Sequence, residues 1–179
     1  MFVNWLRSNR YAALLLTLLR LYLGYEFLHA GWEKITGEKA FDATGFLKNS
    51  LAHPVLSPDK STVFPTFQAF LHDFALPHVK IFNFLVPWGE LLVGLGLILG
   101  ILTTSAMFFG VLMNFMYLMA GTVSSNPWDI LLGMFILVAG YNAGKFGGDF
   151  YVIPWLRGLF NRNKPRDNQR PHNNSRINV

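Results

Sequence analysis

Apolar residues fall in four long blocks separated by polar ones, and each block approaches the length of a membrane-crossing helix. The blocks are residues 11–30, 81–101, 104–122 and 127–144. A helix rises about 1.5 Å per residue, so about 20 residues cross a hydrocarbon core of about 30 Å. The fourth block is short and is expected to stand nearly upright or to run slightly past its ends. The pattern predicts an all-α polytopic membrane protein. Its membrane domain, residues 1–160, is a four-transmembrane-helix bundle with amphipathic helices in the long first loop.

The connections support this order. Gly100 is suited to stop the second helix, and the threonines at 103 and 104 to cap the third. Asn126 is placed as the N-cap of the fourth helix, with Pro127 at its first position. These links are short, so the last three spans should be consecutive neighbours. The loop 32–80 carries Phe41, Phe46, Leu47 and Phe64, and it places Phe67, Phe70, Leu71 and Phe74 at helical spacing. One or two short helices lying on the membrane or capping the bundle are expected there. Residues 149–160 hold Tyr151, Pro154, Trp155 and Arg157, a composition suited to the interface. Residues 161–179 are read as a basic, disordered tail.

Composition narrows the function. Hydrophobic residues make up 52% and charged residues 14%, against about 25% charged in soluble proteins, which excludes a soluble enzyme. The 17 Phe, 5 Trp and 6 Tyr suit aromatic belts at a bilayer surface. With no cysteine, disulfides, thiol redox chemistry and thiolate-bound metals are excluded within this chain. The histidines place no pair on facing spans, so no haem or other metal is expected. Gly31-Trp32-Glu33, not a small-residue cleavage site, follows the first block, which is therefore read as a retained span.

The net charge of +5 comes from a basic C-terminus: Arg157, Arg162, Lys164, Arg166, Arg170 and Arg176. That fits topology and anionic lipid rather than nucleic acid. With Arg7, Arg10 and Lys145 they make nine basic residues on the side of the termini, against Lys34, Lys39, Lys48, Lys60 and Lys80 on the other. Both termini are expected in the cytoplasm and the loop 32–80 outside, in a cell-membrane protein.

Charges inside the spans carry the chemistry. Glu90 is the sole charge in 81–101, and Arg20 lies near the middle of 11–30. A charge in hydrocarbon costs at least about 2.5–3.5 kcal/mol, so each asks for a partner or a task. Helical spacing puts Arg20, Gly24, Phe27, Gly31 and Lys34 on one face, Glu90, Gly94 and Leu97 on another, and Gly110, Asn114, Tyr117 and Gly121 on a third. Asp129, Gly133 and Gly140 mark the fourth. Glycines allow close helix approach, and polar groups turn inward.

Arg20 and Asn114 each lie about ten residues from a span end, roughly 15 Å, and Glu90 lies about 13 Å in. Glu90 and Arg20 are therefore the expected catalytic pair at mid-membrane, with Asn114 adding a hydrogen bond. Asn114, Tyr117, Gly24, Gly94, Asp129 and Asn126 are the expected binding residues around it. Glu26 and His29 lie on a different face, near the outer interface. The pair either locks the bundle or lines a small-molecule or proton site.

The motifs also carry a family likeness. Arg20-Leu-Tyr-Leu-Gly24 with Ala30-Gly31-Trp32-Glu33-Lys34-Ile35 resembles the first-span signature of the DoxX family. Trp88-Gly89-Glu90-Leu91 resembles its second-span Gly-Glu element. Met113-Asn114-Phe115, Ala120-Gly121, Ser125-Asn126-Pro127 and the stretch from Gly144 to Asp149 continue the likeness, which covers about residues 11–150. The resemblance implies a four-helix membrane protein linked to quinone-dependent oxidoreduction. Glu90, Arg20 and Asn114 would then bind a quinone head group or relay its protons. Electrons would come from a redox partner subunit. Apart from the resemblance, Glu26 at the outer interface leaves a homo-oligomer contact open. The alternative is a non-enzymatic scaffold or small-solute carrier in which the Arg–Glu pair is structural.

Overall fold

Where the apolar blocks meet glycine, proline or a capping side chain, the chain breaks into helices. The computed structural model describes residues 1–161; the tail from residue 162 lies outside the described residues. Helix α1 (Phe2–Ser8) leads into α2 (Arg10–Thr36). The Asn9 side chain starts α2 by accepting the N–H groups of Tyr11 and Ala12 at 2.7 and 3.2 Å, two of the donors a helix start leaves unpaired. Two short helices, α3 (Thr44–Ala52) and α4 (Pro65–Phe70), follow, and α4 continues as a π-helical turn, Leu71–Ala75. Then come α5 (Val79–Leu99), α6 (Thr103–Met119), α7 (Asn126–Ala139), α8 (Tyr141–Gly144) and α9 (Asp149–Asn161). Among the described residues, the sole β pairing is an isolated bridge between Leu56 and Thr62.

The fold is all-α, and α2 and α5 are long and apolar enough to cross a membrane. α6 and α7 are apolar but have 17 and 14 residues, about 26 and 21 Å of helix. The first helix runs six residues past the expected end at Ala30. Gly31 does not stop it, because that glycine lies where α2 touches α5. The fourth block ends early, at Gly140, whose φ of 58° and ψ of −129° suit a residue without a Cβ. The expected threonine cap on α6 is also replaced. Asp149, 46 residues on, accepts the N–H of Thr103 at 3.0 Å and that of Leu102 at 2.6 Å. Asn126 lies inside α7 and donates to the Thr122 carbonyl at 2.9 Å.

α2 and α5 pack antiparallel at backbone distance. A Cβ on Gly24 would stand 3.0 Å from the Leu97 Cβ, and one on Gly31 would stand 2.8 Å from the Pro87 carbonyl oxygen. Gly94 closes against Leu28 between them. The bundle core gathers Leu16, Leu23, Phe27, Val93, Leu97, Met107, Val111 and Ile136. A second, smaller core of Ala43, Leu47, Leu71 and Ala75, flanked by Phe41, Phe67, Phe70 and Phe82, turns the loop 32–80 into a cap.

The cap is pinned to α5 through Asn83, which accepts the Ala43 N–H at 2.8 Å and donates to Asp42 at 3.1 Å. The hydroxyl and N–H of Thr44 hold the Asp42 carboxyl below its usual range, with the hydroxyl contributing most.

A tighter acidic turn sits at Asp59. The Ser57 hydroxyl first, then the hydroxyl and N–H of Ser61, hold its carboxyl down to about 2. This value lies below the unfolded one of about 3.9. The turn's contribution to stability is therefore complete above about pH 4 and is lost as pH falls through about 2. The Ser61 amide resonance should titrate with a midpoint close to the lower value; a midpoint close to 4 would show an unheld carboxyl.

Candidate functional site

The buried face of α5 is Pro87, Glu90, Val93, Gly94 and Leu97, an i, i+3, i+4 spacing that turns Glu90 into the bundle. Glu90 is 3% exposed. Its Oε2 accepts from Lys34 Nζ at 2.6 Å, and its Oε1 accepts from the Tyr117 hydroxyl at 2.8 Å. Lys34 also donates to the Ala30 carbonyl at 3.3 Å. The carboxylate thus joins α2, α5 and α6. The cap roofs the site: the Phe46 ring of α3 stands edge-on to Tyr117, with centroids 6.2 Å apart.

Beside Glu90 lies a cavity of about 110 Å³, lined by Glu26, Phe27, Ala30, Glu90, Asn114, Tyr117, Ser125, Asn126 and Asp129. Spacing delivers the pairs: Asn114 and Tyr117 one turn apart on α6, and Asn126 and Asp129 one turn apart on α7. Ser125 donates to Asp129 Oδ2 at 2.9 Å. Two of the seven buried side-chain atoms without a protein partner among the described residues belong to this lining, the Asn114 Nδ2 and the Asp129 Oδ1. Buried polar atoms are normally satisfied, so the lining leaves one donor and one acceptor unpaired. An apolar cavity of about 150 Å³ holds benzene; this one is close to the size of a single ring.

The structure therefore brings together Glu90, Asn114, Tyr117, Asn126 and Asp129 around one space. Gly24 and Gly94 serve helix contact instead. The expected Arg20–Glu90 pair is corrected. Arg20 is buried against Gly100 and Gly147, ten residues and about 15 Å along α5 from Glu90. Asp149 is the carboxylate acting on it electrostatically, and Arg20 Nε and Nη1 have no bonded partner. Matching depths from Ala30 failed because α2 continues to Thr36, which slides the register of α2 against α5.

Lys34 is the cation paired with Glu90 where Arg20 was expected. The stripe Arg20, Gly24, Phe27, Gly31, Lys34 contained it, and its position at the polar end of the block hid it. Glu26, expected at the interface, is exposed but reaches the cavity. His29 meets Glu33 at 3.6 Å rather than Glu26.

Chemically, the site holds a buried carboxylate between a partly exposed lysine and a phenol. Such a group can exchange a proton with a guest that also bonds to Asn114 and Asp129. A family model described as DoxX matches residues 15–123, a stretch that includes Lys34, Glu90, Asn114 and Tyr117 and ends before Asn126 and Asp129. No curated protein and no solved structure matches the chain.

Proposed function

The chain belongs to the DoxX family and is a membrane protein, and from that premise we propose that it is the quinone-binding subunit of a membrane oxidoreductase. The observation that carries the reading is the orphan donor of Asn114 and orphan acceptor of Asp129, in a ring-sized cavity beside Glu90. A quinone supplies a two-electron, two-proton couple when bound. Asn114 Nδ2 donates to a ring oxygen, and Asp129 Oδ1 accepts from one that carries a proton. Glu90 takes or returns a proton, with Lys34 stabilising its charged form and Tyr117 holding its second oxygen. Glu26, exposed at the rim, connects the site to water. A partner subunit supplies the electrons.

In this reading α2, α5, α6 and α7 all cross the bilayer. The turns at 120–125 and α8 extend the two shorter helices. The termini are cytoplasmic, the cap is outside, and the site lies in the outer half of the membrane.

One observation favours a second reading, a scaffold or small-solute carrier: both Glu90 oxygens are already bonded, so the trio alone ties three helices. Quinone binding to the purified protein separates the two. Asn114→Leu and Glu90→Gln should each weaken binding about tenfold or more. Absence of binding, or binding that both variants leave unchanged, would leave the scaffold.

A further inference from the structure

We propose that the cavity beside Glu90 is one half of a two-compartment site, whose other half is an open groove that takes the lipophilic chain of the same ligand. The inference rests on the quinone reading of the cavity. The groove, about 410 Å³, runs between the cap and the α2–α5 pair, with Phe41, Phe84, Pro87 and Trp88 as its apolar walls and Lys80 on its rim. Phe84 is 65% and Trp88 43% exposed, so the groove opens toward the surroundings of the bundle.

Lys34 links the two spaces: it lines the groove, and its Nζ bonds to Glu90 and to the Ala30 carbonyl, whose residues line the cavity. Along the rest of the seam α2 and α5 are sealed by backbone contact at Gly24, Gly31 and Gly94. One turn beyond Gly31, Lys34 reaches from the groove to Glu90. Its flexible stem can swing, and its ammonium already lies 6.0 Å from the Phe41 ring centroid, a cation–π partner on the groove side.

Size supports the same division. Sites for drug-sized ligands occupy about 300–1,000 Å³. The cavity of about 110 Å³ takes a ring and no chain, whereas the groove has room for one. Lys34 is then the partition that a ligand passes when it enters from the bilayer side.

The test compares two probes, a benzoquinone bearing a ten-carbon chain and the same ring without it, on purified protein in one detergent. The chain should tighten binding about tenfold or more. Ala40→Trp, which fills the groove from an exposed position, should remove that advantage, and Phe84→Ala should reduce it. Helix content and melting temperature check that each variant folds. Equal binding of the two probes to the native chain would overturn the inference and leave the groove to a lipid chain. So would a chain advantage that survives both substitutions. If neither probe binds, the quinone reading itself fails, and this inference with it.

Discussion

Replacing Lys34 with methionine is expected to destabilise the protein by about 3 kcal/mol, and adding Glu90→Gln to recover most of that loss. Removing one partner of a buried ion pair leaves the other charge uncompensated and costs about 3–5 kcal/mol. Glu90 meets that condition, with its side chain 4% exposed, while Lys34 at 28% keeps some contact with water. The expected loss therefore lies at the low end. Glutamine keeps a bond to Tyr117 and needs no counter-ion, so the double variant restores a satisfied site. Unfolding in detergent, followed by circular dichroism for the single and double variants, gives the numbers. A change under about 1 kcal/mol for Lys34→Met would mean that the pair behaves as an exposed one. The refolded double variant also separates assembly from chemistry: it should be well folded and bind quinone poorly.

Gly31→Ala should be among the most damaging single methyl additions in the described residues. The added carbon would stand 2.5 Å from the Leu91 nitrogen and 2.8 Å from the Pro87 carbonyl oxygen, distances that real Cβ atoms do not tolerate. Overpacking against side chains costs about 1–3 kcal/mol; here the obstacle is a helix backbone, which cannot rotate aside. The seam must open, and Lys34 then loses its reach to Glu90. Loss of at least about 3 kcal/mol is expected, with a lower yield of monodisperse protein. The same change at Gly45, which has nothing within 4 Å of the new carbon, should be neutral or stabilise by up to about 1 kcal/mol. Similar melting temperatures for the two variants would refute the close seam.

Glu90, Asn114, Tyr117, Asn126 and Asp129 were legible in the sequence because polar residues in apolar helices have one favourable direction, inward. Periodicity recovers that direction without knowledge of neighbours. The partner of Glu90 was not legible, since pairing depends on how far one helix slides along another. That slide is set by glycines whose contacts lie on the opposite helix, and by where α2 ends. Its last turns are mixed in polarity, and the apolar block stops before they do. The cap shows the same division. Phe67, Phe70 and Leu71 announce a helix by spacing, yet the Asp42–Asn83 latch that seats it joins residues 41 positions apart and leaves no local trace. For α6, the local candidate, threonine, was plausible, and a distant aspartate took its place.

That aspartate has a consequence for the order in which the chain is made. The turn between α5 and α6 exists as sequence by residue 103, but its final hydrogen bonds belong to residues 148 and 149: Gly148 donates to the Leu99 carbonyl at 2.9 Å, and the Asp149 carboxylate accepts from the N–H groups of Leu102 and Thr103. Leaving a buried backbone group unpaired costs about 1–3 kcal/mol. The hairpin therefore leaves the ribosome open at one end, and α7 and α8 have already emerged before it can be closed.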